Sequence, residues 1–196
     1  MVKTVEFYFD FGSPASYLAW TQLPAIAAQS GADLVYRPVL LGGIHKATNN
    51  ASPAAIPAKG AWMQIDLARF ARRYGVQYAH NPHFPINTLM LMRAATGAQM
   101  HDGPLFLRFV STVFRAMWEQ PRNMGDLSTV HAVLEGAGLD SALLLQFAED
   151  PAVKERLKTE TEAAVARGLF GAPTMFVGDE MFFGQDRLDF VKEALR

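Results

Sequence analysis

Ser13 stands where an apolar run ends and a helical pattern begins, in Phe11-Gly12-Ser13-Pro14-Ala15-Ser16. Two roles are open to a hydroxyl at such a junction. It can cap the helix by accepting from a first-turn amide. Alternatively it can donate to a sulfur anion held beside the helix N-terminus, where unpaired N–H groups and the helix dipole favour negative charge, and so lower that thiol's pKa. The chain has no cysteine. Disulfides, thiolate metal sites and cysteine nucleophiles are therefore excluded, and a thiol at Ser13 must belong to a bound molecule.

A second group of residues, Gly171-Ala172-Pro173-Thr174, precedes a short apolar run. With a cis bond before Pro173, the main chain of Ala172 would be free to pair with an extended ligand as an added strand does, and glutathione is such a ligand; with a trans bond, Pro173 only ends a loop. Third, Gly184-Gln185-Asp186-Arg187 opens the last helical pattern. Amides and polar side chains there could grip a carboxylate or ammonium group, or Asp186 could serve only as an N-cap. Asn50 and Lys59 lie in a long loop from which either could reach a peptide ligand or remain solvated. His80 and His83 have no third ligand at a zinc-site spacing, so no metal is expected.

The elements that must position these residues follow from periodicity. Residues 5–11 read as a buried strand closed by Gly12, residues from Pro14 towards Gly31 as a helix, and residues 34–40 as a second strand, which together make a β-α-β unit. Residues 42–60 are rich in Gly, Asn, Ser, Pro and Ala and read as a loop. Apolar residues at three- and four-residue intervals predict helices over 62–74, 88–98, 105–119, 126–135, 141–147 and 151–167. Residues 174–177 and 181–183 read as strands joined by the Gly178-Asp179 turn, and 186–195 as a closing helix. A β-α-β start and a β-β-α finish around a helical insert make an α/β protein of thioredoxin-like fold, with residues 1–42 and 169–196 forming the thioredoxin-like domain and 43–168 the loop and helical insert.

The 18 Lys and Arg residues nearly balance 19 Asp and Glu, and no basic stripe interleaved with aromatics suggests nucleic acid. The first residues lack the apolar core of a signal peptide, and no run reaches the length of a membrane span. The expectation is a soluble, cytoplasmic protein.

In this order the motifs resemble those of 2-hydroxychromene-2-carboxylate isomerases and kappa-class glutathione transferases, a DsbA-like thioredoxin-fold family with a helical insert. The resemblance runs nearly end to end. It is carried by residues 7–18, by Gly43-Ile44-His45-Lys46 to Pro57-Ala58-Lys59-Gly60, by residues 168–176 and by residues 182–188. It implies glutathione as cofactor, with Ser13 on its sulfur and Ala172, before a cis Pro173, pairing with its cysteinyl part. Asn50 and Lys59 would lie near the ligand, and Gln185 and Asp186 would hold the γ-glutamyl end, Gln185 standing where relatives carry Ser or Asn. The implied partners are glutathione, a small aromatic substrate and a second copy in a homodimer. Three activities are compatible: isomerisation by reversible thiol addition to a conjugated aromatic-degradation intermediate, kappa-type transfer or peroxidase chemistry, and non-catalytic binding of glutathione or a peptide. Ala54-Ala55 and residues 81–87 fall where isomerases meet the substrate carboxylate, without an Asn-Arg pair. His45, Lys46, His83 and Asn87 are the remaining candidates for that contact.

Overall fold

In the computed structural model, which describes residues 2–196, the first apolar run forms strand β1, Thr4–Phe9. Its side chains alternate between two cores: Val5, Phe7 and Phe9 enter the larger, Tyr8 the smaller. The run was expected to extend to Phe11, but the strand stops at Phe9 because the Asp10 side chain turns back to accept from the Gly12 N–H at 2.8 Å. Helix α1, Pro14–Ser30, starts on the Ser13 cap with proline at its first position and stops at Gly31, whose φ of +62° suits a residue without Cβ. Strand β2, Asp33–Pro38, pairs in parallel with β1, and ends two residues before the expected Leu40.

The region read as a continuous loop is partly helical. Helix α2 covers Leu41–Ala47 and a 3-10 turn covers Pro53–Ala55, before α3, Pro57–Tyr74, begins five residues earlier than its apolar pattern suggests. Gly42 and Gly43 disguise α2 in the sequence. The helix is anchored at its start, where the Leu41 N–H donates to Asp10 Oδ2 at 2.8 Å. Helices α4, Leu89–His101, α5, Gly103–Trp118, α6, Leu127–Gly136, α7, Ser141–Glu149, and α8, Pro151–Ala166, complete the insert. From α5 onward each starts on an aspartate cap: Asp102, Asp126, Asp140 and Asp150 accept first-turn amides at 2.8–2.9 Å.

Strands β3, Thr174–Val177, and β4, Glu180–Phe183, follow, and the sheet order is β2-β1-β3-β4 with β3 and β4 antiparallel to their neighbours. A 3-10 turn, Gln185–Arg187, precedes α9, Leu188–Ala194. The last helix therefore begins after Asp186, which caps nothing; its carboxylate instead meets Arg187 Nη1 at 2.6 Å. The architecture is a thioredoxin fold with a helical insertion between its two halves.

One apolar core runs from the sheet into the insert. Phe9 and Phe11 pack on Phe114 with ring centroids 5.6 and 5.0 Å apart, and Phe11 meets Phe109 at 6.0 Å. In the insert, α4 approaches α7 at the buried Gly97, where an added Cβ would overlap Phe147. Gly97→Ala is expected to cost about 1–3 kcal/mol by overpacking, measured by urea denaturation.

On the opposite face of the sheet, Glu6 is gripped by Arg167 at 2.8 Å and Arg37 at 2.9 Å. Burial alone would raise its carboxyl pKa; Arg167 and then Arg37 outweigh burial and hold it below 4.5. A depressed native pKa contributes stability that is present above the unfolded value and lost as pH falls through the folded one. Glu6→Gln should therefore cost about 1 kcal/mol at neutral pH, a figure discounted for the partly solvated arginines. Urea titrations should show that difference narrowing below pH 4.5 as the wild-type carboxylate takes up its proton.

Candidate active site

The end of β1, the start of α1 and the loop before β3 converge on Ser13. The residue is buried, with extended backbone angles suited to a cap. Its Oγ accepts from the Ser16 N–H at 3.1 Å and donates to the Ala172 carbonyl at 2.9 Å. The capping role read from the sequence is met, and the same atom faces the Ala172-Pro173 segment, 159 residues away in the chain. The Ala172–Pro173 bond is cis. A second cis bond, Phe84–Pro85, lies in the loop before α4.

Within the first turn of α1, Pro14 has no N–H and Ser16 N is bonded to Ser13 Oγ. The Ala15 N–H has no intrahelical partner, since the carbonyl one turn earlier would belong to Phe11, outside the helix and bonded by Trp118 Nε1 at 2.8 Å. An anionic atom beside Ser13 would therefore meet a hydroxyl, a main-chain amide and the positive end of a helix of 17 residues.

The other sequence-derived residues differ in how close they come. Asn50 Nδ2 donates to the Phe170 carbonyl at 3.0 Å, so its side chain supports the segment leading to Pro173. Lys59 is exposed in the first turn of α3. Gln185 is buried and its carbonyl and Oε1 both lie 2.8 Å from Tyr74 Oη. A phenol has one proton, so both contacts are satisfied when the Gln185 amide turns its NH2 to that oxygen. Gln185 thus anchors the 3-10 turn to α3, while Asp186 next to it is exposed.

Among the substrate candidates, His45 is half-buried at the end of α2; burial pushes its pKa down and the charge of Asp10 partly offsets that. Lys46 is exposed. His83 is exposed, its N–H donating to Asn81 Oδ1 at 2.9 Å. Asn87 spends its Oδ1 on the Leu89 N–H at 3.0 Å, at the start of α4. Trp118 and Met92 are fully buried, Met90 is half-buried and Trp62 is exposed.

Two features were not singled out in the sequence. Asp10 is a buried carboxylate whose Oδ1 accepts from the Gly12 N–H at 2.8 Å and from Thr88 Oγ1 at 2.7 Å, while Oδ2 accepts from Leu41. Burial raises its pKa, against the pull of these three donors and of His45. A signal for it existed: an acid at the end of an apolar strand with glycine two residues on is an Asx-turn pattern. The second is an aromatic pair, Phe170 and Phe183, with centroids 4.6 Å apart and both partly exposed beside the Pro173 segment. Among the described residues there is no cluster of three His, Asp or Glu able to hold a metal, and no helix long and apolar enough to cross a membrane.

Comparison with known proteins finds relatives over the whole chain. Residues 4–196 match the DSBA-like thioredoxin domain family. A 2-hydroxychromene-2-carboxylate isomerase of Sphingobium xenophagum is 34% identical over 197 residues, covering 100% of this chain and 99% of the relative. Glutathione S-transferase kappa 1 of Homo sapiens is 27% identical, with 98% and 91% covered. Among solved structures, that of a 2-hydroxychromene-2-carboxylate isomerase superposes with a TM-score of 0.86 at 32% identity, covering 98% of this chain and 94% of the other.

Proposed function

The chain belongs to the DSBA-like thioredoxin domain family and, within it, to the 2-hydroxychromene-2-carboxylate isomerase family, and on that premise we propose that it is a glutathione-dependent isomerase of that type. The observation that carries the proposal is the contact between Ser13 Oγ and the Ala172 carbonyl in a chain without cysteine. Bound glutathione supplies a nucleophilic thiol for reversible addition to a conjugated substrate, which lets a former double bond rotate.

The residues present fit that cofactor. Ser13 keeps its cap to Ser16 as an acceptor and turns its single proton from the Ala172 carbonyl to the sulfur. The Ala15 amide and the α1 dipole favour the sulfur's anionic form. Ala172, beside Pro173, offers main-chain groups to the cysteinyl part. Asp186, exposed at the turn that Gln185 and Tyr74 hold in place, would share its carboxylate between Arg187 and the ammonium of the γ-glutamyl end. Asn50 fixes the Phe170 carbonyl behind this wall, and Lys59 supplies a cation on the α3 side. The Phe170–Phe183 pair offers an apolar face to an aromatic substrate, with His45, Lys46, His83 and Asn87 as the candidates for its polar contacts.

Whole-length similarity to a kappa-class transferase supports a second reading, in which the same thiol site forms a lasting thioether. Calorimetry with glutathione tests the shared premise, with binding expected. Assays of a 2-hydroxychromene-2-carboxylate on stripped protein, with and without glutathione, test the isomerase: turnover should require added glutathione and leave the thiol unconsumed. Turnover that persists without it would overturn the mechanism, and consumption of the thiol would favour transfer.

A further inference from the structure

Asp10 contributes nothing to solvent-facing chemistry, yet a carboxylate in an apolar core costs several kcal/mol unless its oxygens are hydrogen-bonded. Here both are, by three donors. The three donors come from three different segments that meet at the candidate site: Gly12, adjacent to Ser13; Leu41, the first residue of α2; and Thr88, the residue immediately before α4. The α2 segment continues to Asn50, which holds the Phe170 carbonyl ahead of Pro173. Asp10 thus lies beneath the Ser13 turn and fastens it both to the helix that leads to the opposite wall and to the first long helix pair of the insert.

A simple turn at Gly12 would need only one side-chain oxygen, and asparagine could supply it. The Leu41 amide requires an acceptor on the other side of the same group. With Asn at position 10, whichever way its amide is turned, an NH2 faces a main-chain N–H. Two acceptor oxygens are needed, which only a carboxylate provides at this size.

We propose that Asp10 is the positioning residue of the thiol site, setting the place of Ser13 by tying its turn to α2 and α4. This rests on the reading of Ser13 as the partner of the glutathione sulfur.

The test has two arms. In the ligand-free protein, amide hydrogen exchange of Asp10→Asn is expected to be about tenfold faster at Gly12 or Leu41, the loss of one hydrogen bond, with the helices retained. Unchanged protection at both amides overturns the proposal. Thr88→Val and Thr88→Ser form a milder pair should Asp10→Asn not fold: Thr88→Ser should keep wild-type exchange at Gly12, and Thr88→Val should not. Equal behaviour of the pair overturns the proposal. In the second arm, glutathione affinity is measured by calorimetry for wild type, Asp10→Asn, Ser13→Ala and the double variant. Each single variant should bind about tenfold more weakly. If Asp10 acts through Ser13, the double variant should be no weaker than Ser13→Ala. Losses that multiply instead would make Asp10 a structural residue alone and overturn the positioning role while leaving the glutathione reading intact. Failure of the wild-type protein to bind glutathione overturns both.

Discussion

Ser13→Ala is expected to lower glutathione-dependent turnover about 100-fold while leaving the protein folded. The magnitude is that of removing one preorganised donor aimed at developing negative charge. The pH–rate profile separates this from a general loss of order: without the hydroxyl, the rise in rate that follows thiol ionisation should move about one unit to higher pH. The stability cost should be smaller, about 1 kcal/mol for the lost cap to Ser16, equivalent to a fall of about 2–4 °C in melting temperature for a chain of this size. A variant with unchanged rate and unchanged pH profile would leave Ser13 a helix cap and nothing more.

The largest effect on stability should come from Trp118→Ala, at about 3–5 kcal/mol. Trp118 is fully buried at the end of α5, packs against Phe84 and Tyr78 with centroids 5.8 and 6.4 Å away, and donates its indole N–H to the Phe11 carbonyl at 2.8 Å. Trp118→Phe separates volume from polarity. It keeps an aromatic ring but leaves the Phe11 carbonyl without its donor, for about 1–3 kcal/mol. Urea unfolding should show both losses as shifts in midpoint with little change in slope. A Trp118→Phe variant as stable as wild type would mean that water reaches the Phe11 carbonyl and replaces the indole.

The Ser13 turn was legible in the sequence because its capping chemistry is local. A glycine, a serine cap and a proline at the first helical position follow one another at 12–14. The β-α-β and β-β-α units were legible for a related reason, since period and turn chemistry act over a few residues. Contacts that close over long distances in the chain left no such trace. Asp10 meets Leu41 and Thr88 across 31 and 78 residues, and Tyr74 holds Gln185 across 111. For that reason the anchoring role of Gln185 did not emerge from its neighbours, and Asp186 could be placed at a helix start that lies further on. Helix α2 was missed because paired glycines outweigh a single tertiary anchor in any local reading. Residues proposed to face a substrate are the least legible, because His83 and Asn87 lie outside any helical or strand period and His45 and Lys46 sit on the helix that its glycines disguise.

The contrast between the floor of the site and its rim bears on how such a protein changes over generations. Asp10 is buried under the Ser13 turn, and Phe11 and Trp118 join that turn to the apolar core, so a mutation there is judged first by whether the chain still folds. His83 in a turn, Lys46 on α2 and Lys59 on α3 are exposed and sit outside that core, where most replacements cost little stability. Exposed positions can therefore change at little cost in folding while the buried ones cannot. If the proposed function holds, a lineage built this way could keep its thiol chemistry and renegotiate, one surface residue at a time, the molecule to which that chemistry is applied.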